Sequence, residues 1–166
     1  MKLSRTERWI LSNQFRILEA LYPNEAEDFA DAREIVERGY ELHYDWITQY
    51  ISEDVMKADE SSEVIKILSM FRALKYSFKA LDNKSGIEEW QIDFAGFDGN
   101  SEGKQMVYAK YFCNSEGGKF TELNIGDDFN SHCPTIDRYR RMLAEWEKSS
   151  DRNKLMREDI LRIISA

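Results

Sequence analysis

Between Ser62 and Leu81 the apolar residues Val64, Leu68, Phe71, Leu74, Phe78 and Leu81 recur at steps of four, three, three, four and three. That spacing lines six side chains along one face of an α-helix, and no other stretch of the chain is as regular. Ile65, Ile67 and Met70 widen the apolar arc beyond the narrow seam of a two-stranded coiled coil, so the helix suits the middle of a packed core. A helix of this length runs about 30 Å, the diameter of a small domain, so other elements can pack around it. The expected fold is therefore mainly α, a multihelical single domain spanning 1–166, with 1–85 and 86–166 as candidate lobes around the long helix.

A chain of 166 residues supports one sizeable core and is short for two ordinary domains. Four Trp, eight Tyr and nine Phe supply enough buried surface to offset chain entropy even with 33% charged residues, which excludes a disordered chain. The net charge of -8 repels phosphate backbones, so nonspecific nucleic-acid binding is not expected. The opening residues Met1 to Arg8 lack the apolar core of a signal peptide, and no run of about 18 apolar residues is present to span a bilayer. No membrane association and a cytoplasmic location are the expectation. Cys113 and Cys133 have no CxxC companion, which points to free thiols rather than a zinc site or a disulfide framework.

The first helix should run from Ser4, whose pairing with Glu7 has the spacing of a capping box, to about Leu21 before Pro23. Asn24 and Glu27 repeat that start signal for a second helix ending at Gly39, a residue suited to a left-handed terminus. Leu42, Trp46, Ile47 and Tyr50 mark a third helix, and Ser52 to Glu60 is a polar connector or a further helical turn. After the long helix and a turn at Asp82 to Gly86, Gln91 to Phe94 alternates polar and apolar and permits a short strand. Phe120 to Leu123 would be its partner, making at most a two-stranded ribbon. Gly96 to Asn100 reads as a loop leading into a helix that ends near Cys113, and Gly117-Gly118 breaks the chain. Pro134 looks like the first residue of another helix, and a last one from about Arg157 to Ser165 should dock through Ile160, Leu161, Ile163 and Ile164.

Charge is unevenly spread. Between Asn24 and Glu63 thirteen carboxylates face only Arg33, Arg38 and Lys57. A solvated outer face explains this, and a surface for a basic partner is the sharper reading. The carboxylates are too dispersed for an EF-hand loop. From Asp137 to Arg162 the sign reverses, with eight basic residues against six acids, so the tail can pair with the acidic segment. Arg138, Arg140 and Arg141 do not form one continuous helical stripe, and a solvated face accounts for them without nucleic acid.

Leu11-Ser12-Asn13-Gln14, Ile35-Val36-Glu37-Arg38-Gly39-Tyr40, Gly96-Phe97-Asp98, Phe129-Asn130 and Tyr139-Arg140-Arg141-Met142-Leu143 carry a likeness. In this order and spacing they resemble the YfbU family of bacterial proteins over nearly the whole chain. The resemblance implies a multihelical fold and no particular activity. Some members carry a small DNA-binding segment ahead of this domain, which implies a regulatory or partner-binding role by association.

No GxSxG elbow, phosphate-binding glycine loop or dinucleotide fingerprint is present, and neither His43 nor His132 has a ligand at metal spacing. No cofactor or metal is expected. His132 and Cys133 are adjacent, a placement that rarely aligns a base with its nucleophile. The ligand-binding candidates are Arg38 and Tyr40, at the junction of two helices, and Asp98 and Asn130 in loops. Arg38 can serve the free carbonyls of a helix end or hold an anion with its forked donors. Asp98 and Asn130 are the kind of residue that caps helices and closes turns. Two functions from different classes remain. One is an interaction or regulatory module that binds a protein partner or itself, with a homodimer as the simplest oligomer. The other is an enzyme or small-ligand-binding domain using Arg38, Tyr40, Asp98, Asn130 and His132 in a cleft between lobes.

Overall fold

A computed structural model describes residues 1–114, 119–123 and 128–166, and its helices confirm a mainly α, multihelical fold. Backbone contacts divide the chain into two units, Met1–Val55 and Met56–Ala166.

In the first unit, helices α1 (Arg5–Leu21) and α2 (Ala26–Arg38) form a hairpin. The capping box is present: the Ser4 amide donates to Glu7 Oε2 at 2.7 Å and the Glu7 amide to Ser4 Oγ at 3.3 Å. The second start signal is not used. Pro23–Glu25 forms a 3-10 turn that takes Asn24 with it, and α2 begins behind Glu25 without a side-chain cap. Arg8 reaches the Val36 carbonyl and Arg33 reaches Glu19, so the two helices run antiparallel. Gly39 ends α2 at φ 74°, as its position suggested. The expected third helix is broken into a 3-10 turn, Glu41–His43, and a single α turn, α3 (Tyr44–Ile47). Only Tyr44 is buried there, which gives a longer helix little to dock.

The second unit is built on α4 (Ala58–Ala80), four residues longer at its start than the apolar pattern reveals. Glu60 explains the extension: its carboxylate accepts from the Lys57 amide at 2.7 Å, capping the helix ahead of the first core residue. Val64, Ile67, Leu68, Met70, Phe71, Leu74 and Phe78 are all buried, and Leu81 packs half-buried at the end. Around α4 lie α5 (Glu89–Ile92), α6 (Gly103–Asn114), α7 (Ile136–Trp146) and α8 (Arg157–Ile164). Phe71, Phe94, Phe97 and Tyr139 form one aromatic cluster, with centroids 5.0 Å apart for Phe71 and Tyr139 and 5.4 Å for Phe94 and Phe97.

The two-stranded ribbon does not form. Gln91 and Ile92 belong to α5, whose first turn is closed by the Glu88 amide on Gln91 Oε1 at 2.9 Å, and Thr121–Leu123 is a 3-10 turn. Four residues of alternation suit a half-buried turn as well as a strand, and pairing across two short segments adds too little to decide between them. Among the described residues the one β-type contact is an isolated parallel bridge between Phe97 and Asn130. The break expected at Gly117-Gly118 lies outside the described residues. Cys113 is buried and Cys133 exposed, and both are free thiols. Among the described residues no helix is long and apolar enough to cross a membrane.

Candidate functional site

The four candidate ligand residues fall in two places. Asp98 and Asn130 come together in the second unit, while Arg38 and Tyr40 belong to the first.

Around Asp98, the loop before α6 meets the loop before α7. Phe97 donates its amide to the Phe129 carbonyl at 3.0 Å, and Ser131 returns a bond to the Phe97 carbonyl at 3.1 Å. A Cβ at Gly96 would stand 2.3 Å from the Phe129 carbonyl oxygen, and its φ of 94° is also one that side chains disfavour, so only glycine fits. Asn130 Oδ1 accepts from the Gly99 and His132 amides at 3.1 and 2.9 Å. Asp98 Oδ2 accepts from the Ser101 hydroxyl at 2.6 Å and the Ser101 amide at 3.1 Å. The Ser101 hydroxyl foremost holds the Asp98 carboxyl below its ordinary value against the opposing effect of burial.

Glu102, one turn on, is the keystone that the sequence reading missed. Its Oε1 accepts from the amides of Thr135 and Ile136 at 2.8 and 2.7 Å, and its Oε2 from the Asp98 amide and the Thr135 hydroxyl at 2.9 Å each. Burial pushes this carboxyl up, and the Ile136, Asp98 and Thr135 amides with the Thr135 hydroxyl outweigh it, leaving the group below its ordinary value. A buried carboxylate at the start of α7 thus satisfies amides the helix itself cannot pair. Tyr139 completes the knot, its hydroxyl donating to the Gly96 carbonyl at 3.0 Å and accepting from the Ala95 amide at 3.2 Å. Burial pushes that phenol up to about 12. The acceptors of Asp98, Glu102 and Asn130 are taken by the protein's own backbone and hydroxyls, so the cluster fastens two loops to two helices. The His132 backbone, at φ 56°, joins the knot through its amide, and its side chain is exposed outside it.

Four of the five stretches of sequence singled out above are placed by this geometry. Gly96-Phe97-Asp98, Phe129-Asn130 and Tyr139 to Leu143 are the parts of this knot and its aromatic floor, and Ile35 to Tyr40 is the end of α2. The family model of the YfbU domain matches residues 1–166. The chain belongs to the YfbU family. For this YfbU-family chain, the motif residues Gly96, Asp98, Asn130 and Tyr139 are ones that lock backbone geometry, and membership itself assigns no reaction.

At the other place, Arg38 is exposed and its Nε lies 3.7 Å from Glu34 Oε1, a loose surface pair one helical turn back. Tyr40 is exposed too. The helix-end carbonyl expected to need Arg38 is served from α1 instead, with Arg8 Nη1 donating to the Val36 carbonyl at 3.3 Å. Arg8 also lines a shallow cavity of about 270 Å³ with Arg5, Trp9, Ser12, Asn13 and Arg16 on α1 and Glu37 on α2. Ser12 and Arg16 hold Glu37 Oε1 at 2.7 and 3.0 Å, and the Ser12 bond first, then Arg16, keep the Glu37 carboxyl below its ordinary value. The signal for this face was present in the sequence: Arg5, Arg8, Ser12 and Arg16 are spaced three, four and four. Among the described residues no group of three or more His, Cys, Asp or Glu could hold a metal ion.

The first unit also carries the larger share of the exposed apolar side chains among the described residues, including Trp9, Ile17, Leu21, Leu42, Trp46 and Tyr50. Its buried residues are three: Ser12, Val36 and Tyr44.

Proposed function

We propose that this protein is an interaction module whose binding surface is carried by Met1–Val55. The observation that supports the reading is the exposure of large apolar and aromatic side chains on a helical hairpin with almost no core of its own. So many large apolar side chains left exposed on one unit of a folded protein favour a contact with another protein or with a further copy. The polar cluster around Asp98 and Asn130 favours the same reading, because its acceptors are spent on the fold. Nucleic acid is a poor partner for a chain of net charge -8 whose tail arginines are engaged: Arg140 pairs with Glu63 through bonds of 2.8 and 3.0 Å, and Arg141 with the Ala166 carbonyl at 2.8 Å. Two free thiols suit a reducing cytoplasm.

A second reading keeps the small-ligand alternative and moves its site. Arg5, Arg8 and Arg16 beside Trp9 offer forked donors and an aromatic face to a small anion, with Glu37 opposing it.

Capture of the tagged full-length chain from host lysate, in nuclease-treated and untreated halves, separates the two. A protein partner or further copies at near-equal amounts, surviving nuclease, is the expected result. Recovery of a lone monomer carrying a retained anionic metabolite would overturn it in favour of the cavity.

A further inference from the structure

Helix α1 has two chemically different sides. At 100° per residue, Arg5, Arg8, Arg16 and Glu19 fall on one side, where Arg8, Arg16 and Glu19 bond to α2. Thr6, Ile10, Asn13, Gln14, Ile17 and Leu21 fall within an arc of about 100° on the far side. All six are exposed, Ile10 at 48%, Ile17 at 59% and Leu21 at 65%, and none is ionisable. Ile10, Gln14, Ile17 and Leu21 are spaced four, three and four, the interval of a helix-on-helix seam.

We propose that this face is a homodimer contact in which α1 packs antiparallel against α1 of a second copy. The proposal rests on the interaction-module reading above and names its partner. Charge chooses the occupant. A basic partner would be met best by the outer side of α2, where Glu27, Asp28, Asp31 and Glu34 are exposed, and an anion by the arginine side of α1. A face without charge lets two copies of a chain of net charge -8 meet without bringing like charges together. A two-fold contact must also be complementary to itself, and amides are, since each both donates and accepts.

Charge sets the direction as well. Glu7 borders the arc, and a parallel pair would set Glu7 against its counterpart and align both helix dipoles. An antiparallel pair centred between Asn13 and Gln14 opposes the dipoles and places Glu7 near Ala20 of the second copy. In that register Ile10 meets Ile17, Thr6 meets Leu21, and Asn13 and Gln14 face each other across the axis. One helix pair about 25 Å long buries less than the ~800 Å² per partner of a standard interface, so dissociation in the micromolar range follows.

Sedimentation of the full chain from about 1 to 100 µM tests this directly, with a doubled mass expected at the upper end. Ile17→Glu should weaken the dimer at least ~100-fold while leaving the circular dichroism and melting of the monomer unchanged. Val107→Glu, exposed on α6, should leave association intact. In a Cys133→Ser background, a mixture of Ile10→Cys and Ile17→Cys chains should form a disulfide-linked heterodimer, whereas Ile17→Cys alone should not link to itself. A dimer that survives Ile17→Glu, or self-linking of Ile17→Cys, would overturn this contact while leaving an interaction module standing. A monomer at every concentration would overturn the homodimer, and if the lysate capture also returned no partner the broader reading would go with it.

Discussion

Met56–Ala166 sinks Phe71, Phe97 and Tyr139 out of reach of water, whereas Met1–Val55 leaves Ile17, Leu42 and Trp46 largely in it. The chemical difference is one of neighbours rather than composition, since both units are rich in apolar residues. α4 has five other helical elements of its own unit to pack against, so apolar residues all round it find cover. α1 has α2 along one side, and what lies opposite stays exposed. The hairpin is instead held by polar bonds: Arg8 on a carbonyl, Ser12 and Arg16 on Glu37, Arg33 on Glu19. Bonds of that kind, open to solvent, each add little to stability. One unit is thus stabilised by burial and the other is built to gain burial from something else.

The strongest challenge to this contrast is truncation on each side of it. Phe71→Ala should destabilise the second unit by about 4 kcal/mol, because it removes a ring packed against Phe94 and Tyr139 and leaves a cavity. Ile17→Ala, measured by thermal or urea unfolding at concentrations too low for association, should stay within about 0.5 kcal/mol. Equal effects would mean that the first unit has a core after all.

A smaller effect is expected at the polar knot, and it has a pH signature. Glu102→Gln keeps the shape and turns one of two acceptor oxygens into a donor, facing amides or a hydroxyl that already donate. A cost of about 2 kcal/mol follows at neutral pH. In the native chain the folded-state value of Glu102 is depressed, so its contribution is complete above the unfolded carboxylate value and is lost as pH falls through the folded one. The variant should therefore show a flatter loss of melting temperature on acidification. Asp98, depressed as well, keeps part of the slope. A variant as acid-sensitive as the native chain would show that Glu102 does not carry this bond network.

The regular parts of the fold were legible because they rest on local signals. The four-and-three spacing from Val64 to Leu81 locates α4, Ser4 with Glu7 starts α1, and Gly39 ends α2. Long-range partners were not legible, and they explain each departure. Whether Gln91 to Phe94 becomes strand or helix depends on what it packs on, and Ile92 and Phe94 go under α4 as parts of a turn and loop. Glu102 gave no sign of its role because its three amide partners include two that are 33 and 34 residues away. For the candidate site, Asp98 and Asn130 are of the residue types that cap helices and close turns, so their work as loop fasteners is legible in the sequence. At Arg38 the same logic named the wrong arginine, since Arg8 is 30 residues distant in sequence and adjacent in space.

That exchange of arginines supplies the finest test of how the first unit is held. Gly39 and Tyr40 both donate their amides to the Ile35 carbonyl, at 3.0 and 3.1 Å, and Arg8 donates to the next carbonyl, that of Val36. A Cβ at Gly39 would fall 2.5 Å from Arg8 Nη1, so the glycine leaves room for this guanidinium as well as adopting its left-handed turn. Arg8→Ala should therefore loosen the end of α2 by about 1 kcal/mol, read as roughly five-fold faster hydrogen exchange at the Gly39 and Tyr40 amides. Arg38→Ala removes only a loose surface pair and should change that exchange by less than about two-fold. The reverse order would return the capping role to Arg38 and make the contact from α1 incidental, leaving the Glu37 and Glu19 bonds as the polar ties between the two helices.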